Sequence, residues 1–320
     1  MRVAIGNQVM VGVAAALCLV ACSASVSDSV ATSSAAATDP DASGSGEPSA
    51  PATPDPSRFA PAEPPATAVR SSETDHGVTV VDLSFGAEGD ETDAYLVKPA
   101  SGEPGPGIVF FHWVEYGNPT SNRTEFLEEA QDLARQGAVS LLVDGRFPWK
   151  ATPTSIAHDV PAVEADALML RHAVDLLAAQ PEVDADRMAL VGHDFGAMYS
   201  SIVFGADPSL DGMVMMAPTA RWGDWFVRYW EIADSAPDYQ AAMAPLDPVT
   251  WLPEADGRPM RLQFASDDQY VPEAVADEIA AAAGSSAEVT TYQTGHPLND
   301  EARADRAAWL TELLGLAPAD

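Results

Sequence analysis

A carboxylate lies where the sequence would place a nucleophile. Gly192, Asp194 and Gly196 follow an apolar strand and precede a helix of small residues in the stretch VGHDFGAM. This spacing fits a G-x-nucleophile-x-G elbow, a sharp strand-to-helix turn that exposes its central side chain. The centre of such a turn is normally a serine or a cysteine. An aspartate there predicts a different first chemical step.

The chemistry follows from the charge of an aspartate. A serine or cysteine must lose a proton before it attacks, so it needs an adjacent base. An aspartate of ordinary pKa is already ionised at neutral pH. Asp194 is therefore predicted to attack carbon directly and form an ester with the protein. A histidine would then deprotonate the water that hydrolyses this ester.

Two later segments contain groups that fit the remaining roles. His296 follows a strand and a glycine in TGHPLN, in the last loop before the last helix. Asp267 and Asp268 are adjacent in DDQYVP. The alternative interpretations are an exposed loop imidazole for His296 and a helix N-cap for the aspartates, a position that suits aspartate.

Alternating strand and helix patterns are expected to position these groups. We predict strands over Val78–Phe85, Thr92–Pro99, Gly107–His112, Ala138–Asp144, Arg187–Val191, Gly212–Ala217, Pro259–Ala265 and Ala287–Tyr292. We predict helices over Asn122–Arg135, Val163–Leu177, Gly196–Phe204, Val271–Ala283 and Ala302–Leu314. Such alternation predicts mainly parallel pairing, with chemistry at the carboxyl ends of the strands.

The chain from Val78 to Leu316 resembles the α/β-hydrolases, and within them the dienelactone-hydrolase-like branch. The resemblance rests on GIVFFH, VDADRMALVGHDFGAM, DDQYVP and TGHPLN. It implies a mostly parallel, twisted sheet flanked by helices, with a small helical cap insert. The family order of nucleophile, acid and histidine assigns these roles to Asp194, Asp268 and His296. An acid three residues before Val-Pro selects Asp268, and Asp267 is the alternative.

The resemblance also indicates oxyanion donors and two Asp-nucleophile relatives. The backbone N–H groups of Phe195 and Trp113 would stabilise a developing negative charge. The GHDFG elbow is similar to that of epoxide hydrolases and haloalkane dehalogenases, which usually have a tryptophan where this chain has Phe195. Epoxide opening needs phenols that protonate the ring oxygen, and the candidates are Tyr116, Tyr229 and Tyr239.

A cluster of aromatic residues between two predicted sheet strands suggests an apolar substrate pocket. The cap insert, 219–252, supplies Trp222, Trp225 and Tyr229 as pocket residues, although they would equally well seal the cap onto the core. Arg146 is a candidate for binding a substrate carboxylate, or an ordinary surface arginine. Glu115 falls where dienelactone hydrolases keep a glutamate near the nucleophile, but we favour a surface charge there.

The first 68 residues have a different composition. An apolar run, Val9–Ala21, ends in Leu-Val-Ala-Cys22, which resembles the lipobox of bacterial lipoproteins. We expect residues 1–21 to be a signal peptide, Cys22 to be lipidated, and the domain at 69–320 to be held at the outer face of the cell membrane. The alternative is an ordinary secretory signal or an uncleaved anchor. Residues 22–68 are rich in Ser, Ala and Pro, which predicts a disordered tether.

Charge and motifs exclude several functions. The chain has 16 Lys and Arg against 48 Asp and Glu, a formal net charge of −32. Such a charge repels nucleic acid and anionic lipid. Both cysteines, Cys18 and Cys22, precede the domain, and no metal-ligand cluster or dinucleotide fingerprint follows a strand, so we expect no metal or cofactor.

Three functions remain from the sequence, all with a small-molecule partner. The first is a hydrolase of esters or lactones. The second is an Asp-nucleophile hydrolase of epoxides or haloalkanes. The third is an inactive, lipid-tethered binding protein that has kept the fold, because fold alone does not fix function.

Overall fold

Nine strands form one sheet in the part of the chain that the computed structural model describes, residues 53–60 and 63–317. The strands are β1 (Thr67–Asp75), β2 (Val78–Phe85), β3 (Thr92–Pro99), β4 (Gly105–Phe111), β5 (Val139–Val143), β6 (Val183–His193), β7 (Gly212–Met216), β8 (Met260–Ala265) and β9 (Ala287–Tyr292). Their order is β1-β2-β3-β5-β4-β6-β7-β8-β9. The pairs from β1 to β5 are antiparallel, and those from β5 to β9 are parallel.

Helices cover both faces of the sheet. They are α1 (Leu127–Arg135), α2 (Ile156–Ala178), α3 (Phe195–Ala206), α4 (Trp222–Tyr229), α5 (Ala236–Met243), α6 (Pro248–Trp251), α7 (Glu273–Ala283) and α8 (Asp300–Leu314). The buried side chains of α1 and α8 join the core on one face. Those of α2, α3 and α7 join the core on the other.

Strand β4 shows how these two cores are built. Ile108 and Phe110 pack on the α1 and α8 side, whereas Val109 and Phe111 pack on the α2 and α3 side. Alternate side chains of a strand point to opposite faces, so a strand that is covered on both faces reads as a continuous apolar run. All seven residues of β4 are buried, and the chemistry-bearing residues follow at the carboxyl ends of strands such as this one.

The predicted fold class is confirmed. The sheet is mostly parallel and is flanked by helices. The segment between β7 and β8, where we expected a cap, contains α4, α5 and α6. All eight predicted strands are present, with ends that differ by a few residues.

Helix α1 begins later than predicted. We expected Asn122 to cap a helix, but its side-chain oxygen instead accepts a hydrogen bond from the Thr124 N–H at 2.9 Å. This bond closes a local turn, which is the alternative to capping that asparagine offers. The helix starts at Leu127, and the residues before it form a turn-rich loop beside the site.

The folded domain begins earlier than predicted. Phe59, the single aromatic residue of the predicted tether, is buried and packs edge-on against Trp251 with ring centroids 5.6 Å apart. Strand β1 starts at Thr67 and pairs with β2. The predicted boundary at residue 69 was therefore too late, because one large aromatic residue and a strand's backbone hydrogen bonds provide docking that composition does not show.

The predicted signal peptide (1–21), Cys22 and most of the tether lie outside the described residues. Within the described ranges, no helix is both long enough and apolar enough to cross a membrane.

Candidate active site

Asp194 occupies a strained turn between β6 and α3. Its backbone has φ 52° and ψ −117°, a positive-φ conformation outside the left-handed helical region, which residues with a side chain rarely adopt. The turn is tight: a Cβ on Gly192 would lie 2.5 Å from the Ala197 Cα, and one on Gly196 would lie 2.1 Å from the Phe111 carbonyl oxygen. The Asp194 N–H donates to the Met216 carbonyl at 2.8 Å. Strain of this kind persists where the surrounding structure enforces it, often at functional sites.

The two carboxylate oxygens of Asp194 face different groups. Oδ2 accepts a hydrogen bond from the Val114 N–H at 3.2 Å. Oδ1 lies 4.0 Å from His296 Nε2. Only 4% of the residue is exposed. One oxygen is thus held by the backbone, and the other is turned toward the imidazole.

His296 is oriented by Asp268, as the resemblance implied. Asp268 Oδ2 lies 2.8 Å from His296 Nδ1. The other oxygen of Asp268 accepts the N–H groups of Tyr270 and Val271 at 2.8 and 3.1 Å. Asp267, the alternative acid, is exposed, and its N–H donates to the Thr294 carbonyl. Of the two adjacent aspartates, the structure brings Asp268 to the imidazole.

Burial and charge pull the pKa values of these groups in opposite directions. Burial raises the pKa of Asp194, against the positive influence of His296 and His193 and the N–H groups of Val114 and Phe195. Burial opposes ionisation of His296, yet its hydrogen bond to Asp268 and the Asp194 charge leave its pKa raised. Burial also disfavours the Asp268 carboxylate, but the hydrogen bond from His296 leaves its pKa lowered.

Of the two backbone N–H groups predicted as oxyanion donors, Phe195 lies at the nucleophile and Trp113 does not. Phe195 N–H hydrogen bonds to the Asp194 carboxylate. The Trp113 N–H, however, donates to Glu125 Oε2 at 2.8 Å, so it does not reach the nucleophile. Its place is taken by the next N–H, that of Val114. The chain turns after β4, and this turn shifts the donor by one residue.

Behind the site lies a buried pair that sequence reasoning missed, namely His193 and Glu125. His193 Nδ1 lies 2.5 Å from Glu125 Oε1, and His193 Nε2 lies 3.1 Å from the His296 carbonyl oxygen. The His193 ring stacks on Trp113 at 5.2 Å between centroids and 2° between planes. Glu125 comes from the loop before α1 and carries no sequence signal beyond its charge.

A cavity of about 170 Å³ opens onto Asp194. Trp225 and Tyr229 line it, as predicted, but Trp222 does not. Trp222 is fully buried, donates its indole N–H to the Leu246 carbonyl at 2.9 Å, and stacks behind Phe195 at 5.5 Å. Its role is to seal the cap onto the core. The lining residues are Val114, Glu115, Tyr116, Asp194, Phe195, Trp225, Tyr229, Trp230, Tyr270 and His296.

Two further residues lie away from the pocket. The Tyr239 hydroxyl is buried and donates to Asp159 at 2.6 Å, so it cannot act as an acid toward a substrate at Asp194. Arg146 pairs with Asp166 and Asp90, both at 2.7 Å, and does not line the site. The Arg146 guanidinium, a candidate for binding a substrate carboxylate, is therefore paired with the buried carboxylate of Asp166 instead.

Tyr270 is a pocket residue that sequence reasoning missed. It follows Asp268 by two residues, and its ring lies edge-on to His296 with centroids 5.0 Å apart. Burial and then the charge of Glu115 raise its pKa. Its position in DDQYVP, next to the acid, was the available signal.

The mostly parallel sheet and the helices that flank it give an α/β-hydrolase fold, and known structures share it. An acetyl xylan esterase from Paenibacillus sp. R4 is similar with TM-score 0.61 and 17% identity, over 78% of this chain and 89% of that one. Acetyl xylan esterase 1 from Thermoanaerobacterium sp. JW/SL YS485 gives TM-score 0.56 and 17% identity, over 78% and 88%. A protein designated a dienelactone hydrolase from Klebsiella pneumoniae gives 0.54 and 16%, over 74% and 98%.

Sequence comparisons add nothing to this structural likeness. No protein-family profile matches the chain, and no curated protein sequence matches it. At these identities the structural likeness establishes the fold.

Proposed function

We propose that this chain is a hydrolase in which Asp194 forms a covalent ester with the substrate, and that His296 activates the water that hydrolyses it. The observation that carries the proposal is that the two carboxylate oxygens of Asp194 face different groups. Oδ2 is held by the Val114 N–H at 3.2 Å, whereas Oδ1 lies 4.0 Å from His296 Nε2. Asp268 holds the imidazole from its other nitrogen at 2.8 Å.

This arrangement favours attack on an alkyl carbon. In acyl transfer, the backbone donors stabilise the oxygen of the substrate carbonyl. Here the N–H groups of Val114 and Phe195 already bind the Asp194 carboxylate. A substrate carbonyl would have to displace Oδ2 to use them. An epoxide or alkyl halide needs no such donors in its first step, because no oxyanion forms on the attacked carbon.

The second step uses the same donors. Water loses a proton to His296 Nε2 and attacks Asp194 Cγ, so negative charge develops on Oδ2, to which the Val114 N–H already donates. The tetrahedral intermediate collapses by cleavage of the Cγ–Oδ1 bond, and the product leaves as an alcohol that carries the former Oδ1 of Asp194 and takes the proton from His296. Burial disfavours the charge of His296, but its hydrogen bond to Asp268 leaves its pKa raised, which makes the neutral imidazole a stronger base for this proton transfer.

The pocket contains donors for a leaving oxygen. Tyr229 and Tyr270 both line it, 6.4 Å apart between ring centroids, and neither hydroxyl hydrogen bonds to another described residue. Burial keeps Tyr270 protonated by raising its pKa. A phenol could therefore donate its proton to the oxygen of an opening epoxide, and we propose epoxides as the leading substrate class.

Haloalkanes are a related possibility with weaker support. The Trp225 indole N–H is buried without a hydrogen-bond partner among the described residues, and Trp225 lines the pocket. It could stabilise a leaving halide. Phe195 cannot provide the second indole N–H that dehalogenases usually have at its position.

A second candidate is an ester or lactone hydrolase. The observation that favours it is the set of known structures with a similar fold, which includes acetyl xylan esterases and a protein designated a dienelactone hydrolase. Attack by Asp194 on an acyl carbon would give an anhydride, a less usual intermediate than an alkyl ester. The third candidate is an inactive binding protein, and the experiment below distinguishes it from the two hydrolases.

We also propose that the domain is lipid-anchored at Cys22 on the outer face of a bacterial cell membrane. The support is the sequence alone: an apolar run that ends in Leu-Val-Ala-Cys22. Mass spectrometry of the N-terminal peptide from membranes should show a diacylglyceryl-modified Cys22. An unmodified or uncleaved N-terminus would contradict the proposal.

Trapping of the intermediate tests the catalytic proposal. A His296→Gln variant is exposed to panels of epoxides, haloalkanes, esters and lactones, and its peptides are analysed by mass spectrometry. We expect a stable adduct on the Asp194 peptide, whose mass identifies the substrate class. His76→Gln, in an exposed turn, is the control and should turn over without accumulating adduct. Turnover by the unaltered chain without an Asp194 adduct would reject the proposal, and no turnover at all would support the binding protein.

A further inference from the structure

We propose that the substrate carries a cationic ammonium group, which Glu115 and the aromatic walls of the pocket hold beside Asp194. The inference rests on the proposed function, because it names the substrate class of the same site. Among the described residues that line the pocket, two are carboxylates, Glu115 and Asp194, and none is lysine or arginine. A ligand with a carboxylate or phosphate group would meet two negative charges, and the one basic group that lines the pocket, His296, is already held by Asp268 and faces Asp194.

Glu115 is the side chain that decides between a neutral and a cationic ligand. Its backbone is fixed, because its N–H donates to the Ser121 hydroxyl at 2.8 Å. Its carboxylate is partly buried and has no hydrogen bond or ion pair with any described residue. It lines the pocket together with Tyr270 and His296, and after burial its charge contributes to the raised pKa of Tyr270.

An unpaired carboxylate at such a place is costly. A partly desolvated charge without a partner is unfavourable. In contrast, most other partly buried acids among the described residues have a cationic partner, as Asp144 has in Lys150. A positively charged ligand would supply the missing partner of Glu115.

The aromatic side chains have the arrangement that binds ammonium groups. The Trp225 ring lies 4.5 Å from Tyr229 with 47° between planes, and 5.8 Å from Tyr270 with 67° between planes. Rings at such steep angles turn their faces in different directions around one corner of the cavity. Cations bind to the faces of Trp and Tyr rings, and more strongly where water is excluded. Arg228 already lies 5.4 Å from the Tyr229 ring centroid, although it does not line the pocket.

The charge of the whole protein acts in the same direction. A formal net charge of −32 attracts cations and repels anions over a range set by the ionic strength. Long-range attraction raises the rate of encounter, and Glu115 then fixes the orientation of the bound cation. The two effects respond differently to experiment, since only the first is strongly screened by salt.

Matched substrate pairs test the inference. Each cationic compound is compared with its neutral carbon isostere, in which a tert-butyl group replaces trimethylammonium. The epoxide pair is glycidyltrimethylammonium and neopentyl oxirane. The haloalkane pair is chloroethyltrimethylammonium and 1-chloro-3,3-dimethylbutane, and the ester pair is the acetate ester of choline and 3,3-dimethylbutyl acetate. We expect kcat/KM to be at least about tenfold higher for the cationic member of whichever pair is turned over, as for a charged contact plus cation–π attraction. Glu115→Gln should lower the ratio several-fold, to the smaller preference that the aromatic rings and the overall charge leave. The matched control is Glu88→Gln, which removes an exposed charge outside the pocket and should leave the ratio unchanged.

A binding measurement separates this inference from the proposed function. Tetramethylammonium binding to the unaltered chain is measured by calorimetry, together with the Glu115→Gln and Glu88→Gln variants. Binding that is lost only in Glu115→Gln would support the cation site even if no panel substrate is turned over. Turnover through an Asp194 adduct with no preference for the cationic member would overturn the inference while the proposed function stands. Absence of both preference and binding would also overturn it.

Discussion

His193 contacts a hydrogen-bond acceptor through each of its ring nitrogens: Nδ1 lies 2.5 Å from Glu125 Oε1, and Nε2 lies 3.1 Å from the His296 carbonyl oxygen. A carbonyl oxygen only accepts, so Nε2 carries a proton. A further proton must then lie between Nδ1 and Glu125. Because Glu125 also accepts the Trp113 N–H at 2.8 Å, this one pair connects the elbow, the loop after β4 and the histidine loop.

The two variants Glu125→Gln and Glu125→Ala should therefore differ sharply. A glutamine can still accept the Trp113 N–H and donate to a neutral His193, so we expect activity within about tenfold of the unaltered chain. Alanine leaves the buried Trp113 N–H and His193 unpaired, which should cost about 2 kcal/mol of stability and about 100-fold in kcat through the displaced backbone donors. Urea unfolding and steady-state kinetics measure both effects. Equal behaviour of the two variants would show that the pair has no positioning role.

The same glutamine variant should change the pH dependence. The positive charge near His193 lowers the pKa of Asp194. Glu125→Gln leaves a neutral His193 and also removes the negative charge of Glu125; because His193 is the member of the pair that acts on Asp194, the pKa of Asp194 should rise further. Because attack needs the ionised carboxylate, the acid limb of kcat/KM should move to higher pH, and the rate at low pH should fall. A limb that does not move, or that moves to lower pH, would contradict this electrostatic coupling.

Asp194 and His296 should be coupled in their titration. The charge of Asp194 contributes to the raised pKa of His296. Asp194→Asn removes that charge, so the pKa of His296 should fall. NMR titration of the His296 ring proton measures the change, with Glu88→Gln as the control that should leave it unaltered. An unchanged His296 titration in Asp194→Asn would mean that the two groups are too far apart to act together.

The phenols of the pocket should matter for one substrate class more than another. If Tyr229 and Tyr270 protonate a leaving oxygen, the double substitution to phenylalanine should lower kcat for epoxides by about 100-fold or more. Haloalkanes need no such proton, and their turnover should change by much less. Equal losses for both classes would indicate a role for these residues in packing rather than in proton donation.

The N-terminal contact of Phe59 should stabilise the domain. Phe59 is buried against Trp251, and its replacement by alanine should lower the free energy of unfolding by about 3 kcal/mol. Val69→Ala on the exposed β1 is the control and should change stability by about 0.5 kcal/mol or less. A stability loss for Phe59→Ala no larger than for Val69→Ala would place the domain boundary after residue 59.

The sequence predicts the strands that carry apolar residues, and it misses the edge strand β1. Strands such as β4 are continuous apolar runs because helices cover both sides. Every residue of β1 is exposed, so the strand is held by backbone hydrogen bonds to β2 and has no apolar pattern to read. The buried Phe59 was similarly hidden in a polar, proline-rich segment.

In the site, the residues fixed by local turns were predictable and those fixed by loop geometry were not. Asp194 lies in a turn whose glycines are required by close contacts. Whether the N–H of Trp113 or that of Val114 donates to the Asp194 carboxylate depends on the path of the loop after β4. The sequence does not indicate a shift of one residue in such a loop. Trp222 and Trp225 differ by three positions on one helix, and the direction of packing sends one to the core and the other to the pocket.

Isotope labelling tests the central claim most directly. The unaltered chain is allowed a single turnover, with protein in excess of substrate, in water enriched in oxygen-18, and both the product and the Asp194 peptide are analysed by mass spectrometry. If Asp194 is the nucleophile, the product receives its oxygen from the carboxylate and is unlabelled, while the Asp194 carboxylate gains the heavy isotope. A labelled product and an unlabelled Asp194 peptide would mean that water attacks the substrate itself, and the covalent mechanism would be wrong.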